Sequence, residues 1–286
     1  MPTGLRAGDA ARNAAQKLRE AGVPEPEVSA KVLLSELLGV RRDEIPVHEP
    51  PLTGEQERLY GLWIARRLKR EPVQRILGRA FFRNLVLSLN EETLIPRPDT
   101  ESVVDVAIGR LDARGGRGVV LDVGTGSGAI AISIAQERPR ATVHATDLSA
   151  RALEEATRNA SENGVSVRFH RADLFAGLEI PEHAVDLLVS NPPYIEDETL
   201  EDLAPEVRDW DPRPALDGGP DGLRFYRRIF EEAPPLLKQG ADVVLEVGDG
   251  QGWTVLDLGR EAGFVPLGLR EDLAGTPRTA LLRWEG

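Results

Sequence analysis

Cysteine is absent from the 286 residues, which excludes disulfides, thiolate zinc sites and thiol nucleophiles together. Histidine is scarce: His48, His144, His170 and His183 are scattered without ligand spacing, so no metal is expected. No run approaches the roughly eighteen apolar residues of a membrane span, and the first ten residues lack the charged-then-apolar build of a signal peptide. A cytoplasmic protein without membrane association is the expectation. Basic residues are in deficit, 35 Lys and Arg against 47 Asp and Glu, for a net charge of −12. An acidic chain lacks the concentrated positive face that a nucleic-acid groove needs, so no direct nucleic-acid substrate is expected. The sign reverses locally: Arg66, Arg67, Lys69, Arg70, Arg75, Arg79 and Arg83 stand against the single acid Glu71. That run reads either as a solvated helix face or as a docking surface for an acidic partner.

What is present is 41% hydrophobic residues, enough for one large and one small domain. Residues 5–21 are Ala-rich and stop at Gly22, and Pro26 opens a second helical stripe that ends at Gly39. Thr53 with Gln56 forms a capping-box signature before a third helix, which Pro72 stops. These helices predict a small N-terminal bundle over residues 1–75. Residues 81–95 turn to short β-like runs around "NEE", predicting a hairpin linker within residues 76–97. From residue 98 to 286 strands alternate with helices: 118–123, 142–147, 165–170, 184–190, 241–247, 264–270 and 279–284 read as seven strands. The last two have no helix between them and are expected to pair antiparallel at one edge. The fold class is α/β.

Two glycine loops follow strands. In "LDVGTGSGAI" residues Gly124, Thr125, Gly126, Ser127 and Gly128 open a helix, where a ligand can approach the backbone and free N–H groups at the positive end of the helix dipole. Asp147 ends the next strand and suits both hydroxyls of a ribose; Asp173, after the third strand, could accept from an adenine amino group while Leu174 covers the ring. The second loop, with Gly248, Gly250 and Gly252, has too little chain after it for another nucleotide-binding half and reads as a strand-to-helix turn. The fourth strand ends in "NPPY". Its prolines stiffen the backbone and leave carbonyls without competing N–H neighbours. Asn191 offers a side-chain carbonyl, Pro192 a backbone carbonyl, Pro193 a rigid bend and Tyr194 a flat face, an array suited to holding a planar NH₂ group by both hydrogens.

With these motifs the chain resembles the S-adenosylmethionine-dependent methyltransferases of class I that act on amino nitrogen, and among them the peptide chain release factor glutamine N5-methyltransferases. "REPVQRILG", "TLIPRPDTE", "LDVGTGSGAIAI", "SNPPYI", "EVRDWDPRPALDGGPDGL" and "RTALLRW" carry the resemblance over nearly the whole chain. It implies a seven-stranded, mostly parallel Rossmann-like sheet with an antiparallel last strand, S-adenosyl-L-methionine as cofactor, and a substrate-recognition role for the N-terminal helices. It implies class I release factors as protein partners, methylated on the glutamine of their Gly-Gly-Gln motif, with Asn191, Pro192 and Tyr194 catalytic. Phe82 matches an aromatic position of the family beside the substrate, whereas Phe81 stands where the family usually has an acid. Other readings stay open from the residues themselves: an adenine-N6 methyltransferase, a nicotinamide-dependent oxidoreductase and a non-catalytic nucleotide sensor.

Overall fold

Pro26 at a helix start, a Thr53–Gln56 cap and glycine stops delimit, among the described residues of the first part of the chain, the helices α1 (Ala7–Glu20), α2 (Pro26–Leu38), α3 (Gly54–Leu68) and α4 (Val73–Leu77). The structure, a computed structural model, describes residues 5–45, 51–272 and 274–286, so His48 lies outside it. The Gln56 N–H donates to Thr53 Oγ1 at 3.2 Å and the Thr53 N–H to Gln56 Oε1 at 2.9 Å, the reciprocal cap expected. Gly39 closes α2 in the left-handed region at φ 64°. Leu18, Leu33, Leu34, Tyr60 and Ile64 form the core of this unit, and the buried Tyr60 hydroxyl donates to the Ala30 carbonyl at 2.9 Å. Among the described residues no helix is long and apolar enough to cross a membrane.

The basic run folds inward. Arg66 donates to both oxygens of Glu71 at 2.8 and 2.5 Å. Arg67 is only 4% exposed and donates to Ser29 Oγ, the Glu71 carbonyl and Glu206. Arg70 takes both oxygens of Glu206 at 2.7 and 2.6 Å. Burial pushes the Glu206 carboxyl up, but the hydrogen bonds from Arg70 and Arg67 outweigh it and hold the group below its ordinary range. Arg66, Arg67 and Arg70 are thus internal ties rather than a docking surface. They also explain why Ala204–Trp210, with its short helix α8 (Pro205–Arg208), groups with Met1–Gly78 in one compact unit, while Arg79–Leu203 and Asp211–Gly286 form the other.

In that second unit β1 (Arg79–Phe82) and β2 (Leu85–Ser88) pair antiparallel. The hairpin is tighter than expected: its turn is Arg83–Asn84, not "NEE", and "TLI" is no strand. Such a two-residue turn usually signals itself with glycine, because it needs positive φ. Arg83 adopts φ 51° instead, with its guanidinium donating to Glu137 at 2.9 Å and Asp105 at 2.6 Å. Helix α5 (Thr100–Asp112), absent from the sequence reading, buries Val103, Val104, Ala107 and Leu111.

The rest alternates as the pattern predicts: β3 (Gly118–Val123), α6 (Ala129–Glu137), β4 (Ala141–Asp147), α7 (Ala150–Glu162), β5 (Arg168–Arg171) and β6 (Val185–Ser190). Two short strands, β7 (Ile195–Glu196) and β8 (Asp217–Gly219), pair with each other. Then come α9 (Arg224–Glu232), β9 (Leu237–Glu246), α10 (Gly252–Glu261), β10 (Phe264–Glu271) and β11 (Pro277–Trp284). The main sheet has seven strands in the order β10-β11-β9-β6-β3-β4-β5. β11 lies antiparallel to both β9 and β10, and the other pairs are parallel. One layer of core packs α5, α6 and the hairpin against the sheet, and a second packs α9 and α10 on the opposite face. The chain runs outward from β3 through β4 to β5 and then returns to β6 on the other side of β3. That reversal opens a crevice beyond the carboxyl ends of β3 and β6, where open α/β sheets take their ligands.

Candidate active site

Strand register places the motif residues in one row. Val123 pairs with Thr146 and with Ser190, and Ser190 pairs with Leu245. The next residue along each strand therefore belongs to the same edge: Asp147 at the end of β4, Gly124 after β3, Asn191 after β6, and Glu246 at the end of β9. Gly124 and Asp147 were expected to meet a nucleotide, and Asn191 both the nucleotide and the substrate. Glu246 was not expected at all.

The first glycine loop has an open side and a packed side. A Cβ at Gly124 or Gly126 would meet no atom within 4 Å, whereas one at Gly128 would strike Ile132 Cδ1 at 2.6 Å. All three adopt positive φ, 75°, 56° and 88°. The Thr146 carbonyl accepts from the N–H groups of Gly124 and Thr125, both at 2.9 Å, and the Gly126 N–H donates to Asp147 Oδ2 at 2.9 Å. The Ser149 N–H takes Asp147 Oδ1 at 2.9 Å. Each carboxylate oxygen so held keeps a second lone pair, the donor-hungry set that a vicinal diol satisfies. Burial pushes the Asp147 carboxyl up, against the lowering pull of these backbone N–H groups. Thr125 and Ser127 are themselves buried, with Thr125 Oγ1 donating to Asp122 Oδ2 at 2.7 Å. They shape the loop from beneath.

Leu148, the residue after Asp147, is 64% exposed, an apolar face beside a polar anchor and a place for a flat ring that sequence reasoning missed. Asp173 stands less open than expected, because its Oδ1 accepts from Arg228 Nη1 at 2.8 Å, which leaves Oδ2 for a ligand. Leu174, half-buried against the second core layer, adopts φ 54°, an unusual backbone for a branched residue and one that clusters at functional sites. The carboxylate acceptors and the open loop thus fit S-adenosyl-L-methionine. A separate hollow of about 440 Å³, lined by Pro139, Thr142, Asn163 and Arg168, lies at the amino ends of β4 and β5, away from these residues.

"NPPY" is held by side chains from far along the sequence. Asn191 Nδ2 donates to Thr100 Oγ1 at 3.2 Å, and Oδ1 receives no donor among the described residues. The Pro192 carbonyl likewise receives none, whereas that of Tyr194 accepts from Gln251 Nε2 at 3.0 Å. Pro193 is half-buried. Burial pushes the Tyr194 hydroxyl up to about 12, with Glu246 adding to the rise and Arg278 and Arg97 opposing it, so it carries its proton at neutral pH. The second glycine loop proves to be a support for this tyrosine: a Cβ at Gly248 would meet Tyr194 Cδ2 at 3.0 Å and Gln251 Oε1 at 2.6 Å. The "DGGPDGL" segment closes round the same residue, since a Cβ at Gly222, already at φ 68°, would lie 2.4 Å from the Tyr194 carbonyl. Gly222→Ala should therefore cost roughly 1–3 kcal/mol by overpacking and strain, read as a lowered urea midpoint at unchanged slope. "TLIPRPDTE" and "DWDP" meet through Arg97, which pairs with Asp211.

Phe82 needs correction. It is 1% exposed and sits in the core with Leu85 and Leu87, so it cannot touch a substrate; its neighbour Phe81 is 74% exposed. Alternation along β1 turns one aromatic in and the other out.

The family model described as Methyltransferase small domain matches residues 103–206, and that described as PrmC N-terminal domain matches residues 9–78. A release factor glutamine methyltransferase from Cereibacter sphaeroides is 39% identical, over 98% of this chain and 99% of its own length. One from Streptomyces coelicolor is 42% identical, over 94% of this chain and 95% of its own. A methyltransferase structure from Pyrococcus furiosus shares the fold, with a TM-score of 0.50 at 22% identity, covering 71% of this chain and 90% of its own.

Proposed function

The chain belongs to the release factor glutamine methyltransferase family, and on that premise we propose that it methylates the side-chain amide nitrogen (N5) of the glutamine in the Gly-Gly-Gln motif of class I release factors. The observation that carries the residue-level reading is the pair of open acceptors, Asn191 Oδ1 and the Pro192 carbonyl, beside the glycine loop and Asp147. S-adenosylmethionine, when bound, supplies an electrophilic methyl group on a sulfonium. Asp147 would hold its ribose hydroxyls, residues 124–128 its approach along the backbone, Leu148 the adenine face, and Asp173 with Leu174 the far side of the ring.

An amide nitrogen is a poor nucleophile because its lone pair is delocalised into the carbonyl. Asn191 Oδ1 and the Pro192 carbonyl accept its two hydrogens, which orients the nitrogen and stabilises positive charge as it develops there. Tyr194, braced by Gly222, Gly248 and Gln251, offers its ring as a platform for the planar amide. The N-terminal helices serve recognition of the intact protein substrate, remote binding that keeps the loop in place during reaction. The test is incubation with isotope-labelled S-adenosylmethionine and purified release factor, followed by peptide mass spectrometry. Label on the Gly-Gly-Gln peptide supports the reading; label on nucleic acid or on no acceptor refutes it. Asp147→Ala should weaken S-adenosylmethionine binding by roughly 1–3 kcal/mol in calorimetry, because the hydroxyls it accepts from lose their partner. Unchanged affinity would remove Asp147 from the site.

A further inference from the structure

Glu246 has no place in the mechanism above, yet it stands beside the residue that mechanism most depends on. It closes β9 one register step from the Ser190↔Leu245 pair, next to Asn191, and is 1% exposed. Its strand neighbours Leu245 and Val247 are buried and apolar, and its Oε2 has no hydrogen-bond partner. A buried carboxyl with an unsatisfied oxygen costs stability that an apolar residue of similar size would not. The cost has to be explained by what the group faces. Asn191 is its neighbour across the β6–β9 register, Thr100 and Asn191 both act on its carboxyl as donors that lower its pKa, and Asn191 Nδ2 itself donates to Thr100 Oγ1 at 3.2 Å.

We propose that Glu246, together with Thr100, is a positioning residue that decides which way the Asn191 amide faces. Thr100 Oγ1 holds Nδ2 on the inner side, the ionised Glu246 carboxyl beside it offers a second acceptor there, and Oδ1 is thereby turned toward the substrate as an acceptor. Were the amide to flip, an NH₂ would confront the NH₂ of the substrate glutamine, donor against donor. The proposal rests on Asn191 being the substrate-holding group.

The hold depends on charge. An ionised Glu246 accepts from both neighbours, whereas a protonated one has a hydrogen of its own to donate and no longer selects a single amide orientation. Burial pushes this carboxyl up to about 7; Thr100 and Asn191 pull it down as donors, Asp99 raises it and Arg278 lowers it. Tyr194 and Tyr226 also face it, with the Tyr226 hydroxyl donating to the Glu246 backbone carbonyl at 2.8 Å. Arg278 is shared with Asp99 at 3.4 Å and Asp272 at 3.7 Å. A group raised in this way is protonated below that value and ionised above it, so methyl transfer should rise with pH through neutrality.

The experiment is single-turnover methylation of release factor between about pH 5.5 and 8.5, with the Asn191 side-chain amide of ¹⁵N-labelled enzyme followed by NMR over the same range. The wild type should gain about tenfold in rate from pH 6 to 8, as one proton is lost, and the Asn191 amide signals should shift with the same midpoint. Glu246→Gln should be slower and flat with pH in both readouts, while its S-adenosylmethionine affinity and melting temperature stay near those of the wild type. Thr100→Val, which keeps the shape and removes the relay, should lower the rate with the cofactor affinity unchanged. A pH-independent wild type with a static Asn191 amide, or a Glu246→Gln variant that keeps the inflection, overturns the proposal. If Asn191→Ala itself retains the full rate, the acceptor reading fails and the proposal falls with it; loss in Asn191→Ala without the Glu246 effects removes the proposal alone.

Discussion

Asn191→Ala should bind S-adenosylmethionine with modest loss and transfer methyl groups on the order of 10²-fold more slowly in a single turnover. In the mechanism we propose, the side chain supplies one of two acceptors that orient the substrate amide and respond to the charge developing on its nitrogen. Such a group contributes more in the transition state than in the ground state, so its loss falls on the rate. Asn191→Asp sharpens the test. It keeps an acceptor oxygen but replaces the Nδ2 donor that Thr100 accepts, and it puts a second carboxyl beside Glu246. It should stay well below wild-type rate. A near-normal rate in Asn191→Ala would mean that the acceptor pair does not activate the amide.

The largest effect on stability is expected from Arg67→Glu, at about 3–5 kcal/mol, the usual cost of breaking a buried charge pair. Arg67 is 4% exposed and its guanidinium serves Ser29, the Glu71 carbonyl and Glu206, so the substitution faces one buried carboxylate with another and strips two further acceptors. Arg70→Glu should cost less, since Arg70 is more exposed and Arg67 remains on Glu206. Urea titrations of the two variants beside wild type measure the difference. Equal, small shifts would mean that Arg67 is not the internal tie described here. The same substitutions would have been expected to give a mild, salt-sensitive loss of partner binding had these side chains faced solvent.

Short-range chemistry was legible. The strand runs, the Thr53 cap, the glycine loop and the abrupt "NPPY" end each carry their structural cause within a few residues, and the antiparallel pairing of the last two strands followed from the lack of a helix between them. What was hidden lies in pairings across the chain. Asn191 meets Thr100 from 91 positions away, and Glu246 sat inside "VVLEVGDGQG", where the glycines drew attention and turned out to brace Tyr194. Arg67 looked like every other arginine in its run until Glu206 arrived from beyond the fourth strand of the sheet. The turn at Arg83 escaped because positive φ there is stabilised by ion pairs instead of by glycine. Helix α5 was the readable miss: Val103, Val104, Ala107 and Leu111 have helical spacing, overshadowed by the proline-rich stretch just before them.

The placement of β11 between β9 and β10 bears on how the chain folds. β10 and β11 follow one another closely in sequence and can pair locally within microseconds, but neither can join the sheet until β9 offers its edge. Until then β9, with Val243, Val244 and Leu245 in its C-terminal half, presents an apolar stretch with one row of backbone groups unpaired, the kind of surface that captures other chains. Refolding at high protein concentration should therefore lose material at the stage when this ribbon has yet to dock, and the loss should be concentration-dependent while the unfolding limb is not.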